Sequence, residues 1–397
     1  MFLMANVTQS SGVRLGLIRM SGRDSGEAHR VASPLELFFD LVFVVAVSQA
    51  SQSLHHGIAE GHAGPAVTGY AMIFFAIWWA WMNFTWFASA FDVDDWLYRV
   101  TTIVQMGGVL VLATGVHAAM SEGEWAVVTW GYVIMRVAMI AQWVRLAMSD
   151  PGQRAVALRY AVGIALVQCV WVVRIAFAAD VQFWTFWPAL VLELIVPVWA
   201  ERVRTTPWHP HHIEERYGCF TLIVLGESLL ASSNAIIPAL GTGEHGTALI
   251  GLAIAGIVIA AAMWWIYFSR EQGQRLNSPR RAFAFGYAHY FVFAAAGAVS
   301  AGIEVELGLL DGAEGISTAA AALAFTLPVA VFMAAIWLVM LRGRAPGIVS
   351  AVFLLAAAGV LLCGVLPVLT VAGTAGCLVV AVVALERGRV RERSPQG

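Results

Sequence analysis

Lysine is absent from this 397-residue chain, and all 23 basic residues are arginine. Charge of either sign is scarce. Only 12% of residues are charged, where a soluble domain carries about a quarter. The net charge is −2, and no block is basic enough to suggest a nucleic-acid partner. The four cysteines, Cys169, Cys219, Cys363 and Cys377, all fall in apolar runs, so they read as small core residues and not as a disulfide framework. There is no Walker A loop, dinucleotide-binding glycine fingerprint or nucleophile elbow. Residues 1–33 lack a long apolar core, which argues against a cleaved signal peptide. No polar stretch is long enough to hold an ATPase domain.

What fills the chain instead is apolar: 60% of residues are hydrophobic and the mean hydropathy is +0.76. Runs of about 20 such residues are the length of a membrane-crossing helix. They recur at 34–54, 66–90, 98–119, 125–148, 155–178, 183–203, 214–237, 246–269, 281–303, 316–341, 347–366 and 368–387. The expected fold class is an all-α polytopic membrane protein with about 12 transmembrane helices. Arginine placement tests the count. All but Arg136 and Arg174 lie in the N-terminal tail, in alternate loops (at or beside helix ends) or in the C-terminal tail, and the intervening loops hold none. That asymmetry places both termini in the cytoplasm. A missed span would invert the pattern.

The first span opens ELFFDLVF from Glu36, and the seventh opens ERYGCF from Glu215. The second carries Trp78-Trp79 and the eighth Trp264-Trp265, each after a turn containing His62 or His245. These correspondences predict two tandem, parallel-oriented six-helix halves, 34–203 and 212–387. A polar tail (1–33) precedes them, a cytoplasmic linker (204–211) joins them, and a short tail (388–397) follows. Parallel repeats of this kind occur in transporters, with the binding site where the repeats meet.

An ionisable group inside a bilayer costs free energy and needs a reason. Glu36 and Asp40, four apart, share one helix face. His212, Glu215, Arg216 and Glu227 fall within one third of the circumference of the seventh span at 100° per residue. Glu227 lies about 18 Å deeper than Glu215. Arg136 and Glu193 are charged residues at similar depth in spans 4 and 6. Two readings stay open. In one, Glu215–Arg216–Glu36 and Arg136–Glu193 are buried ion pairs that fix helix register. In the other, Glu36, Asp40 and Glu227 form a protonatable path or cation site between the halves. The cluster His209, His211 and His212 adds a third idea: His212 and Glu215, with Glu36 and Asp40, resemble a carboxylate–histidine set for a divalent transition metal.

The stretches SPLELFFDLVFV (33–44) and HIEERYGCFTLIVLGES (212–228) resemble the two signatures of the low temperature requirement A (LtrA) family. The resemblance extends from about residue 30 through the C-terminal spans. It implies a multi-span protein of the bacterial inner membrane, named for a cold-growth phenotype, and carries no molecular activity with it. Cys219 stands where members usually have a hydrophobic residue, and Glu214 is an additional acid.

The leading expectation is a secondary transporter or permease with proton- or cation-coupled carboxylates where the halves meet. The alternative is an integral membrane enzyme acting on a lipid or hydrophobic metabolite at the cytoplasmic leaflet, through a histidine–carboxylate or metal site. A non-catalytic membrane sensor ranks third. The expected partners are the lipid bilayer and a small-molecule, ion or lipid substrate. Substrate and oligomeric state are not legible.

Overall fold

Proline and a capping serine start the first helix. Ser33 accepts a hydrogen bond from the Glu36 amide at 3.3 Å, and the Glu36 carboxylate accepts one from the Ser33 amide at 2.8 Å. This reciprocal pair, with Pro34 at the first helical position, fixes where α1 begins. Asp95 caps α3 in the same way through the Tyr98 amide at 2.9 Å. In this computed structural model, residues 16–24, 26–27, 30–239, 246–273, 276, 278–312 and 315–393 are described. Arg14, His245 and Arg275 lie outside them.

The helices are α1 Pro34–Ala59, α2 Ala63–Phe91, α3 Trp96–Thr114, a short α4 Val116–Ser121, α5 Ala126–Ser149, α6 Arg154–Arg174, α7 Ala179–Ala200, α8 Pro210–Ala239, α9 Gly246–Tyr267, α10 Pro279–Leu310, α11 Thr318–Ile336, α12 Gly347–Cys363 and α13 Thr370–Arg393. No strand occurs among the described residues. Each of the 12 apolar runs corresponds to one principal helix, with α4 a kinked extension of the third. Among the described residues ten helices are long and apolar enough to cross a membrane, and α12, at 17 residues, is a shorter apolar helix. α8 runs for 30 residues but carries Glu214, Glu215, Arg216 and Glu227, and it is not among the ten. The ninth run extends further than its hydropathy suggests. α10 is 32 residues long and continues past Ile303 to Leu310, which brings Glu304 and Glu306 onto the helix.

Contacts define the two ends of the bundle. At the near end, Arg30 donates to the carbonyls of Ser89 (2.5 Å) and Ala88 (2.7 Å), and the Arg23 amide donates to Ala90 O. Arg145 pairs with Asp95 and also donates to Ile18 O at 2.9 Å. Ile18, Arg23 and Arg30 thus strap the end of α2 to the start of α3 and the end of α5. Burial opposes ionisation of Asp95, but Arg145 and the Tyr98 and Ile18 amides outweigh it and hold the carboxyl below its ordinary value. The linker joins the same end: the His209 amide donates to Ser89 Oγ at 3.0 Å. So does the second half, where the Gln272 and Gly273 amides donate to Glu214, and Arg344 donates to Gln272 Oε1 at 2.9 Å. The far end holds the α1–α2 turn, with Gly61 at φ +81°.

Small residues bring helices close. α3 and α5 cross on Gly108 and Gly131, where a methyl on Gly131 would strike the backbone of Leu112. α2 is lined with buried aromatic rings. Trp78, Trp79, Trp81, Phe84, Phe87 and Phe91 on it are almost fully buried. Trp264 and Trp265, by contrast, are each more than 40% exposed and lie on the outer surface.

Candidate functional site

α1 packs against α2, α8 and α10, and between these helices lie Glu36, Asp40 and Glu227. At the near end Arg216 of α8 reaches across to α1. Its Nη1 donates to Glu36 Oε1 at 2.8 Å, its Nε to Asp40 Oδ2 at 3.1 Å, and its Nη2 to Asp40 Oδ1 at 2.5 Å. Trp81 of α2 donates its indole N–H to Asp40 Oδ1 at 2.7 Å. His212 Nε2 lies 3.3 Å from Glu36 Oε1. Glu36, Asp40, His212 and Arg216 are at most 1% exposed. All four carboxylate oxygens carry a donor, because the Ser33 amide takes Glu36 Oε2. The result is a saturated clasp between the first helices of the two proposed halves.

His209 sits behind it. The His212 amide donates to His209 Nδ1 at 3.2 Å, so His209 carries its proton on Nε2, 2.8 Å from Glu27 O. Burial lowers the pKa of His209. His211 turns outward, 3.7 Å from Glu214. Glu215 stands aside too. At 100° per residue it lies about 60° to one side of His212, whereas Arg216 lies about 40° to the other, the side facing α1. The buried pair is therefore Arg216 with Glu36 and Asp40, without Glu215. The guanidinium occupies the space between the two α1 acids. Among the described residues no three His, Cys, Asp or Glu side chains form a group that could hold a metal ion.

Arg136 and Glu193 do meet, inside the first half. Glu193 of α7 accepts from Trp79 Nε1 (2.9 Å) and Arg136 Nη2 (3.0 Å) on Oε2. It accepts from Tyr132 Oη (2.9 Å), Gln168 Nε2 (3.1 Å) and Trp171 Nε1 (3.1 Å) on Oε1. One carboxylate thus binds α2, α5 and α6 to α7 and takes no bond from α8–α13 among the described residues.

Glu227 is elsewhere again. Eleven residues beyond Arg216, about 16 Å along α8, it lines a cleft of about 320 Å³ between α1, α8 and α10. Ser48, Gln52, Asn234, Ser300 and Glu304 share the lining. The Ser48 hydroxyl hydrogen-bonds Glu227, and Asn234 donates to Glu304 Oε1 at 3.1 Å. Neither Glu227 nor Glu304 has an ion-pair partner among the described residues. Between clasp and cleft the same helices are filled with buried apolar side chains: Phe43 and Val47 on α1, Trp81 on α2, Phe220 and Val224 on α8, and Phe293 on α10. Trp81 stacks on Phe220 with centroids 4.4 Å apart, and Phe293 meets both rings edge-on. One helix interface therefore carries a sealed charged cluster, an aromatic plug and an open acidic cleft in sequence.

Sequence reading missed Glu304 and Asn234 in the cleft and Trp81 in the clasp. Glu304 was detectable as a charged residue just past an apolar run. Trp81 was not, because an indole N–H inside an apolar stretch has no distinct pattern.

The family model for bacterial low temperature requirement A protein (LtrA) matches residues 31–385. An uncharacterized protein of Rhizobium meliloti (strain 1021) is similar, with 27% identity over 250 residues, 61% of this chain and 59% of that protein. The matched stretch thus spans less than two thirds of that relative's length. No solved structure matches the chain.

Proposed function

This chain belongs to the bacterial low temperature requirement A (LtrA) family, and we propose that it is a secondary transporter or permease whose coupling carboxylate is Glu227. Its long apolar helices make it a multi-pass membrane protein. The observation that carries the reading is the far cleft, where Glu227 and Glu304 face a polar space with hydroxyl and amide neighbours but no guanidinium. Retained acids of that kind in a membrane bundle mark ion or proton routes.

The two-half arrangement supports it. In the first half α1 packs on α2 and α3, α3 on α5, α5 on α6, and α6 on α7. The second half has corresponding pairs in chain order, α8 on α9 and α10, α10 on α11, α11 on α12, and α12 on α13, and adds a pairing of α9 with α13. Each half also has a tryptophan-to-glutamate bond from its second to its sixth span, Trp79–Glu193 and Trp265–Glu386, both at 2.9 Å. Clasp and cleft then lie where the halves meet, the position of transporter sites built from repeats. The arginine-bearing loops gather at the near end, which supports a cytoplasmic near end in an inner-membrane protein. The clasp closes the cytoplasmic end of the interface and the cleft opens towards the other face.

An enzyme acting at the cytoplasmic leaflet would need substrate access to Glu36, Asp40 and His212, and their complete burial argues against it. The transport reading is tested in proteoliposomes containing a trapped pH dye and given an imposed Na+ or K+ gradient. Cation-driven proton movement should be present with the native protein. With Glu227→Gln it should fall to the level of protein-free liposomes, while the variant still elutes as a single folded species. Undiminished movement in that variant removes the assignment.

A further inference from the structure

A second cavity, at the near end, has no part in that reading. It is an open-sided cleft of about 540 Å³ between α2, α5, α6, α7, the linker and α10. Its walls are aromatic: Trp86, Trp143, Trp208, Tyr160, Phe283 and Tyr287. The rings are fixed against one another. Trp143 and Tyr160 stack in parallel with centroids 4.1 Å apart, and Trp86 meets Trp208 edge-on at 5.2 Å.

One charged side chain lines it, Glu201, at the end of α7. Thr206 Oγ1 (2.7 Å) and Tyr160 Oη (3.1 Å) both donate to Glu201 Oε1. They hold the carboxylate in place, together with a bond from the Thr206 backbone. No arginine pairs with it there. Its near neighbours are engaged elsewhere, Arg159 over the Trp199 ring at 5.2 Å and Arg204 on Gly152 O at 2.9 Å. Burial pushes the Glu201 carboxyl above its ordinary value, and the two hydroxyls only partly offset this. A half-buried carboxylate is stabilised by a cation, and no arginine ion-pairs with this one among the described residues.

The surroundings select the kind of cation. A hard divalent ion needs several oxygen ligands, and the cleft offers a single carboxylate among rings. An anion would meet Glu201 with no basic side chain in the lining. An organic cation gains from both features, since its charge is attracted to aromatic faces and to the carboxylate while its apolar body fills the remainder. We propose that this cleft binds a lipophilic organic cation, an ammonium-type centre carried on an apolar or aromatic body, with Glu201 as its counter-ion. Walls from the first half and from α10 both contribute, so the bound cation bridges the two sides of the molecule. The site is independent of Glu227.

The experiment is equilibrium dialysis of the full-length protein in detergent against labelled tetraphenylphosphonium. The comparison ion is tetraphenylborate, of the same shape and opposite charge, and empty micelles supply the background. The phosphonium should bind saturably and at least about tenfold more tightly than the borate. Glu201→Gln keeps an acceptor oxygen for Tyr160 and Thr206 and should weaken phosphonium binding by about tenfold or more. Phe283 is half-buried, and Phe283→Arg places an internal cation at the cleft that should displace the ligand. Equal affinity for the two ions overturns the proposal, as does unchanged phosphonium affinity in Glu201→Gln. If Glu201→Gln does not fold, the decision passes to Phe283→Arg, where retained affinity overturns it.

Discussion

Five donors converge on Glu193, three on one oxygen and two on the other, at full burial. A carboxylate has acceptor capacity for this and glutamine does not. Glutamine offers one acceptor oxygen and an NH2 group, so in either orientation at least two of the five donors would face another donor. Each buried donor left unpaired costs about 1–3 kcal/mol, and Arg136 is charged. Glu193→Gln should therefore destabilise the protein by about 2–6 kcal/mol, read as a lower thermal midpoint in detergent. It should leave phosphonium binding by the folded fraction intact, because Glu193 does not line that cleft. An unchanged midpoint would mean that the five bonds do not hold the first half together. The contrast with Glu227 is informative at this scale. Two acids of the same type differ in role because one is saturated by neighbours and the other keeps its carboxylate open to a polar space.

At the scale of the element, the first turn of α1 does two jobs. Glu36 closes the capping box on Ser33 and accepts from Arg216. Ser33→Ala removes the acceptor for the Glu36 amide and should cost about 1 kcal/mol, whereas Ser33→Thr should cost a few tenths. The pair of thermal midpoints checks it, and equal midpoints for alanine and threonine would mean that the cap contributes nothing. Helix order was legible because apolar length reports directly on a membrane-crossing helix, but of the twelve expected spans ten helices meet that length and hydropathy among the described residues. The boundaries of α10 were not, because hydropathy falls at Glu304 while the backbone hydrogen bonds continue to Leu310. The face of α8 was legible in part. Helical periodicity put His212 and Arg216 towards α1 correctly, and it included Glu215 only because a third of a circumference is wider than the actual contact. The pairing of Arg216 with Asp40 as well as Glu36, the indole of Trp81 and the whole aromatic cleft depend on which helices neighbour one another. Periodicity within a single helix does not contain that information.

On the whole-molecule scale, the clasp is where the two proposed halves are joined by charge. The desolvation penalty of Glu36, Asp40 and Arg216 is large, and their mutual bonds offset it only while all three are present. Arg216→Leu strands two carboxylates in a dry interface and should cost about 3–5 kcal/mol, seen as loss of the folded species on size-exclusion chromatography. Removing the charges together, by Glu36→Gln, Asp40→Asn and Arg216→Met, leaves no ion unpaired and should recover most of that loss. Such triads are often replaceable by neutral residues without loss of stability. The two variants then separate architecture from transport. If the clasp only joins the halves, the triple variant is folded and moves protons in the gradient assay as the native protein does. If the clasp also opens during a transport cycle, the triple variant is folded but altered in rate, because the strength of the near-end closure has changed while Glu227 is untouched. A triple variant as unstable as Arg216→Leu would contradict the premise itself. The packing of Phe43, Trp81 and Phe220 around the clasp, and not its charges, would then hold α1 against α8.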